Sequence, residues 1–61
     1  GTLIIEIQRS LVRLGYDPGP INGELSAAAV NAIRAYQVKY VLLETGQVSD
    51  ALLKHMIRQG G

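Results

Sequence analysis

The absence of cysteine is the strongest constraint on what this 61-residue chain can fold into. Without thiols there is no disulfide to staple a small fold and no thiolate to close a metal site. At this size folding hides only about 60% of the surface that the unfolded chain exposes. Stability must therefore come from apolar packing, and the composition permits it: 48% of the residues are hydrophobic, including eight Leu, six Ile, five Val and six Ala. Three tyrosines with no Phe or Trp predict an aliphatic core. One core of this size leaves little room for a walled catalytic pocket. The expectation is a single monomeric domain over residues 1–61 that binds or interacts rather than catalyses.

Charge excludes more than it suggests. Six basic and five acidic residues give a formal net charge of +1, with the two signs interspersed. A nucleic-acid binder usually carries a clustered basic face, so no nucleic-acid partner is expected. No apolar run approaches the roughly 20 residues needed to cross a bilayer, so no membrane insertion is expected either, and no signal-peptide pattern is visible. Gly1 and the Gly60-Gly61 pair read as domain-boundary residues, and the expectation is that the chain is a piece excised from a longer one.

Hydrophobic spacing predicts three helices, at about 3–14, 26–40 and 49–58. In the first, Ile4, Ile7, Leu11 and Leu14 recur at helical intervals, Thr2 is a candidate N-cap, and Gly15 is a C-cap signal. Glu6, Gln8, Arg9, Ser10 and Arg13 fall largely on the opposite side. In the second, Ser26 is the cap and Ala29, Ala32, Ile33, Tyr36 and Tyr40 form the apolar stripe. Leu25 is placed to pack against Val30 as a hydrophobic staple. The third begins at Ser49 or Asp50 and turns Leu52, Leu53, Met56 and Ile57 inward. Between the helices lie two structured loops. The first holds Pro18-Gly19 and Asn22-Gly23, two different turn signals, with Ile21 expected as its core anchor. The second holds Thr45-Gly46, with Leu42 or Leu43 as the anchor. The fold class is all-α, a small three-helix bundle.

The two loops end alike. Gly23-Glu24-Leu25-Ser26 leads into the second helix and Gly46-Gln47-Val48-Ser49 into the third. Two explanations are open: an internal duplication, or one solution to the loop-to-helix junction used twice.

No catalytic constellation emerges. His55 stands alone, since Asp50 lies off the helical spacing of three or four that would let it orient the ring. It reads as a half-exposed helix residue near a C-terminus. Asp17 and Glu24 flank the first loop and read as solvated turn carboxylates. A calcium loop fails on register: with Gly23 at position six, Pro18, Pro20 and Ala29 occupy ligand positions without a side-chain oxygen. Gly15, Gly19 and Gly23 lack the Gly-Lys-Ser/Thr ending of a phosphate loop. Metal ligands and cofactors are therefore both expected to be none. A helix-turn-helix wants a turn of three or four residues, and the gap from Val41 to Val48 is about twice that.

Taken together, several segments resemble the first sequence type of the bacterial peptidoglycan-binding domain. They are Gln8-x-x-Leu11, the run Leu14-Gly15-Tyr16-Asp17-Pro18-Gly19-Pro20-Ile21-Asn22-Gly23, then Ala32-Ile33-x-x-Tyr36-Gln37, and Gly46-x-Val48. The resemblance covers nearly the whole chain. It implies a three-helix domain in the periplasm or cell envelope that holds an attached catalytic domain on murein, with the glycan or the stem peptide as partner. Departures from the family pattern are Asn22 for aspartate, Leu25 for phenylalanine, Ser26 for glycine, Ala29 and Leu52 for threonine, and Val41 for glycine. Those at Asn22, Ala29 and Leu52 remove polar groups that would matter if they touched ligand. They motivate an alternative, a protein-interaction or regulatory domain that reuses the fold, with Val41, Leu42 and Leu43 as its apolar patch. For murein itself, Tyr16 and Tyr40 offer rings, Asn22 and Gln37 offer amides, and Arg34 offers a cation; these five are the expected ligand-binding residues.

Overall fold

A computed structural model describes residues 2–61; Gly1, read above as a boundary residue, lies outside them. Three helices are present and no strand among the described residues: α1 (Thr2–Arg13), α2 (Ala27–Lys39) and α3 (Asp50–Arg58). Each matches its expected span to within a residue at either end. α1 packs against both partners, most extensively against α3. Contact with α3 and with the first loop explains a correction to α1. Its buried strip is wider than one apolar stripe and includes Gln8 and Ser10 beside Ile7 and Leu11. Thr2 is already helical rather than a cap.

All three helices stop in the same way. After α1, the Gly15 N–H reaches the Val12 carbonyl (3.0 Å) and the Tyr16 N–H the Leu11 carbonyl (2.8 Å). After α2, Val41 bonds Val38 (3.2 Å) and Leu42 bonds Gln37 (2.8 Å). After α3, Gly60 bonds Ile57 (3.0 Å) and Gly61 bonds Met56 (2.9 Å). This paired closure is the Schellman motif, and it requires a left-handed residue at its centre. Gly15 (φ +91°) and Gly60 (φ +101°) meet that requirement without strain, whereas Val41 occupies it at φ +58°. A β-branched residue there is an outlier in backbone conformation.

The core consists of Ile7, Leu11, Ala32, Ile33, Tyr36, Leu52 and Met56, with Leu3, Leu14, Tyr16, Tyr40, Val48 and Leu53 packed around it. Fully burying one such aliphatic side chain contributes roughly 1.5–3 kcal/mol. The core is not purely aliphatic: its largest fully buried side chain is Tyr36. Ile57, expected to turn inward from α3, is exposed, and the expected loop anchors face solvent too: Ile21 and Leu43 are exposed, and Leu42 is at the margin of exposure. Their places are taken by Pro18, which is fully buried in the first loop, and by Gly46 and Val48 in the second.

Candidate functional site

Two buried glutamines shape the loops. Gln8 receives the Gly23 N–H on Oε1 (3.1 Å) and donates from Nε2 to the Glu24 carbonyl (2.8 Å). Gln37 receives both the Thr45 and Gly46 N–H groups on Oε1 (3.0 Å each) and donates from Nε2 to Thr45 Oγ1 (3.1 Å). Each clasped glycine has positive φ, and each loop then delivers a serine cap. Ser26 Oγ accepts from Ala29 N (3.2 Å) and Ser49 Oγ from Leu52 N (3.1 Å). The resemblance between the two junctions thus extends to a glutamine on the preceding helix, over sequence separations of 15 and 9 residues. Gly46 is also tightly placed, since a Cβ there would lie 3.0 Å from both Val30 Cγ1 and Arg34 Nε and those side chains would have to give.

The clasped second loop forms one wall of a shallow groove of about 410 Å³ between the end of α2 and the start of α3. Leu42, Leu43, Ala51 and Leu52 supply its apolar surface, and Gln37, Thr45, Ser49 and His55 its polar groups. Volumes of this order are typical of small-ligand sites. A smaller depression of about 260 Å³ lies between α1 and α3, bounded by Glu6, Arg9, Arg13 and Ile57 among others.

His55 is not the solitary side chain that its sequence neighbours imply. Its Nδ1 is hydrogen-bonded to the Tyr36 hydroxyl, and its ring meets those of Tyr36 and Tyr40 edge-on, at centroid distances of 5.6 and 5.3 Å. Burial, with Tyr40 and Tyr16 nearby, pushes the Tyr36 hydroxyl up to about 12. Tyr36 therefore stays protonated; which partner donates depends on the His55 tautomer, and a Tyr36 hydroxyl that donates to Nδ1 leaves the ring proton on Nε2.

Of the five expected ligand residues, the fold brings only some together. Tyr16 and Tyr40 are half-buried and flank Tyr36, at centroid distances of 6.1 and 4.6 Å, with the Lys39 ammonium 5.5 Å from the Tyr40 ring centre. Arg34 is exposed and runs alongside Gly46. Asn22 is exposed in the first loop, where its Oδ1 accepts from Glu24 N (3.0 Å). Gln37 is 5% exposed and lines the groove; the other four lie outside it. Thr45, Ser49 and His55 are the groove residues that sequence reasoning did not select. Thr45 and Ser49 were visible only as turn and cap signals, and His55 meets Tyr36 across 19 positions.

Among the remaining candidates, Asp17 and Glu24 are exposed, and Asp17 Oδ1 accepts from Gly19 N (3.1 Å) within its own turn. Among the described residues no group of three or more His, Asp or Glu side chains is placed to hold a metal ion. Among the same residues no helix is long and apolar enough to cross a membrane. Two of the departures noted in the sequence, Ala29 and Leu52, are buried. A hydroxyl at Ala29 would face the interior rather than a ligand.

The family model for the peptidoglycan binding domain aligns with residues 1–56. No curated protein and no solved structure matches the chain significantly.

Proposed function

The chain belongs to the peptidoglycan binding domain family, and from that premise we propose that it is a non-catalytic, monomeric module of the cell envelope that holds an attached catalytic domain on murein. The observation carrying this reading is the family match across residues 1–56. The groove beside α3 and the clasped loops support it, because a rigid shallow surface suits an extended polymer better than an enclosed pocket would. Tyr16, Asn22, Arg34 and Tyr40 are proposed as groups that face the polymer, and Gln37 as a residue that acts through the loop it holds. A sedimentation assay with insoluble murein tests the reading. The domain should be retained at low salt and release no soluble fragments. Retention no greater than that of an unrelated small protein would sink it.

A second reading is favoured by a specific observation. Val41 is 91% exposed and Leu43 85% exposed, with Val38 also open to solvent at the end of α2. Val41 is strained as well, so fold stability does not account for it. Under this reading the same face contacts another protein domain. Retention on murein that is unchanged by Leu43→Glu, together with loss of contact to the attached domain, would favour it.

A further inference from the structure

The groove between α2 and α3 has an unusual hydrogen-bonding balance. Its polar side chains have spent most of their acceptor capacity on the protein itself. Gln37 Oε1 accepts two backbone N–H groups, and Thr45 Oγ1 accepts from Gln37 Nε2 and from Gln47 N. Ser49 Oγ accepts from Leu52 N, and His55 Nδ1 is engaged with the Tyr36 hydroxyl. What remains is mostly donors: the second Nε2 hydrogen of Gln37, the hydroxyl hydrogens of Thr45 and Ser49, and, in the tautomer with Tyr36 donating to Nδ1, the Nε2–H of His55. No carboxylate lines the groove, and neither does any tyrosine ring.

That balance selects among the chemistries murein offers. Sugar rings present hydroxyls that need acceptors as well as donors, and their apolar faces are best met by aromatic rings. A peptide end gathers acceptors at its terminus, where the carboxylate and carbonyl oxygens only accept, while its amide N–H groups point elsewhere along the backbone. Donors facing a carboxylate form the stronger, charge-assisted kind of hydrogen bond. Short alkyl side chains beside those oxygens would meet Leu42, Leu43, Ala51 and Leu52. The α1–α3 depression fits such a ligand less well, because Glu6 stands one turn from Arg9 and Arg13 is directed to the Gly61 carbonyl (3.3 Å).

We infer that this groove binds the alanine-bearing, carboxylate-terminated end of the peptide stem, and not the glycan. The inference rests on the murein-binding reading and specifies which part of the polymer is held. Hydroxyls of Thr45 and Ser49 and the imidazole of His55 hold the terminal oxygens, and the leucine wall accepts the methyl groups.

Amide chemical-shift titration of the ¹⁵N-labelled 61-residue chain tests this. The probes are a synthetic stem pentapeptide ending in Ala-Ala and an N-acetylglucosamine tetramer. The pentapeptide should shift amides of residues 42–55, and the sugar should leave them in place. Leu43→Glu alters a solvent-facing side chain and should weaken peptide binding about tenfold by setting a like charge against the carboxylate. His55→Gln keeps an acceptor for Tyr36 and a donor for the ligand and should retain most of the affinity. His55→Phe should lose about three- to tenfold, the value of one hydrogen bond. The inference is overturned if the sugar moves the groove amides, if the peptide shifts Arg9 and Arg13 instead, or if the Leu43 variant binds as well as the parent. Retention on murein without any peptide shift in the groove would overturn this inference and leave the broader reading standing. Failure of both would remove the two together.

Discussion

Val41 carries the clearest single-residue cost in the domain. Left-handed backbone costs an L-residue roughly 1–2 kcal/mol, and a glycine there gives back part of the gain, about 0.4–1 kcal/mol, as extra freedom in the unfolded chain. Its side chain is almost wholly in water, so little packing is lost on removal. Val41→Gly is expected to raise stability by about 1 kcal/mol, read as a higher urea midpoint at unchanged slope. An unchanged or lower midpoint would contradict the strain argument. Tyr36 sets the behaviour at high pH. Its hydroxyl is raised from 10.0 to about 12 in the folded state. Between those values the unfolded chain has released a proton that the folded chain still holds, so stability falls as pH rises. The full stability is present below pH 10 and up to roughly 2–3 kcal/mol is lost by about pH 12. Tyr36→Phe should flatten that limb of the stability-versus-pH curve, whatever it costs at neutral pH; an equally steep alkaline loss in the variant would assign the effect elsewhere.

At the scale of the element, each loop is organised by one glutamine from the helix before it. Gln37 makes three hydrogen bonds to its loop and Gln8 makes two. Removing a partner from a buried polar group costs about 1–3 kcal/mol. Gln37→Met should therefore destabilise more than Gln8→Met, and each should speed hydrogen exchange only in its own loop, at Thr45 and Gly46 or at Gly23. Faster exchange in both loops from either variant would mean that the loops are coupled rather than separately clasped. The same geometry spans loops of different length, which favours a repeated local solution to entering a helix over a copied segment. Much of this scale was legible in the sequence. Gly15, Gly19, Gly23 and Gly46 announce their positive φ, and Ser26 and Ser49 announce their caps, because turn and cap chemistry is local. The glutamine clasps were not legible, since an amide on a helix looks equally suited to solvent.

For the whole molecule, the arrangement places α1 centrally, with the groove formed where α2 ends and α3 begins. The sequence by itself determined three helices, the stop at Gly15, the starts at Ser26 and Ser49, the two turn-rich loops and membership of a family. These follow from periodicity and from backbone preferences that act over a few residues. Tertiary structure alone decided that Gln8 and Gln37 point inward, that Tyr36 fills the middle of the core and that His55 is its partner. It also decided that Ile21, Leu42 and Leu43 stay outside while Pro18 and Val48 go in. The reason is that a loop side chain is buried only if a neighbouring helix leaves a space for it. Ile21 and Leu43 have the right chemistry for a core, but the clasped glycines had already set the path of each loop.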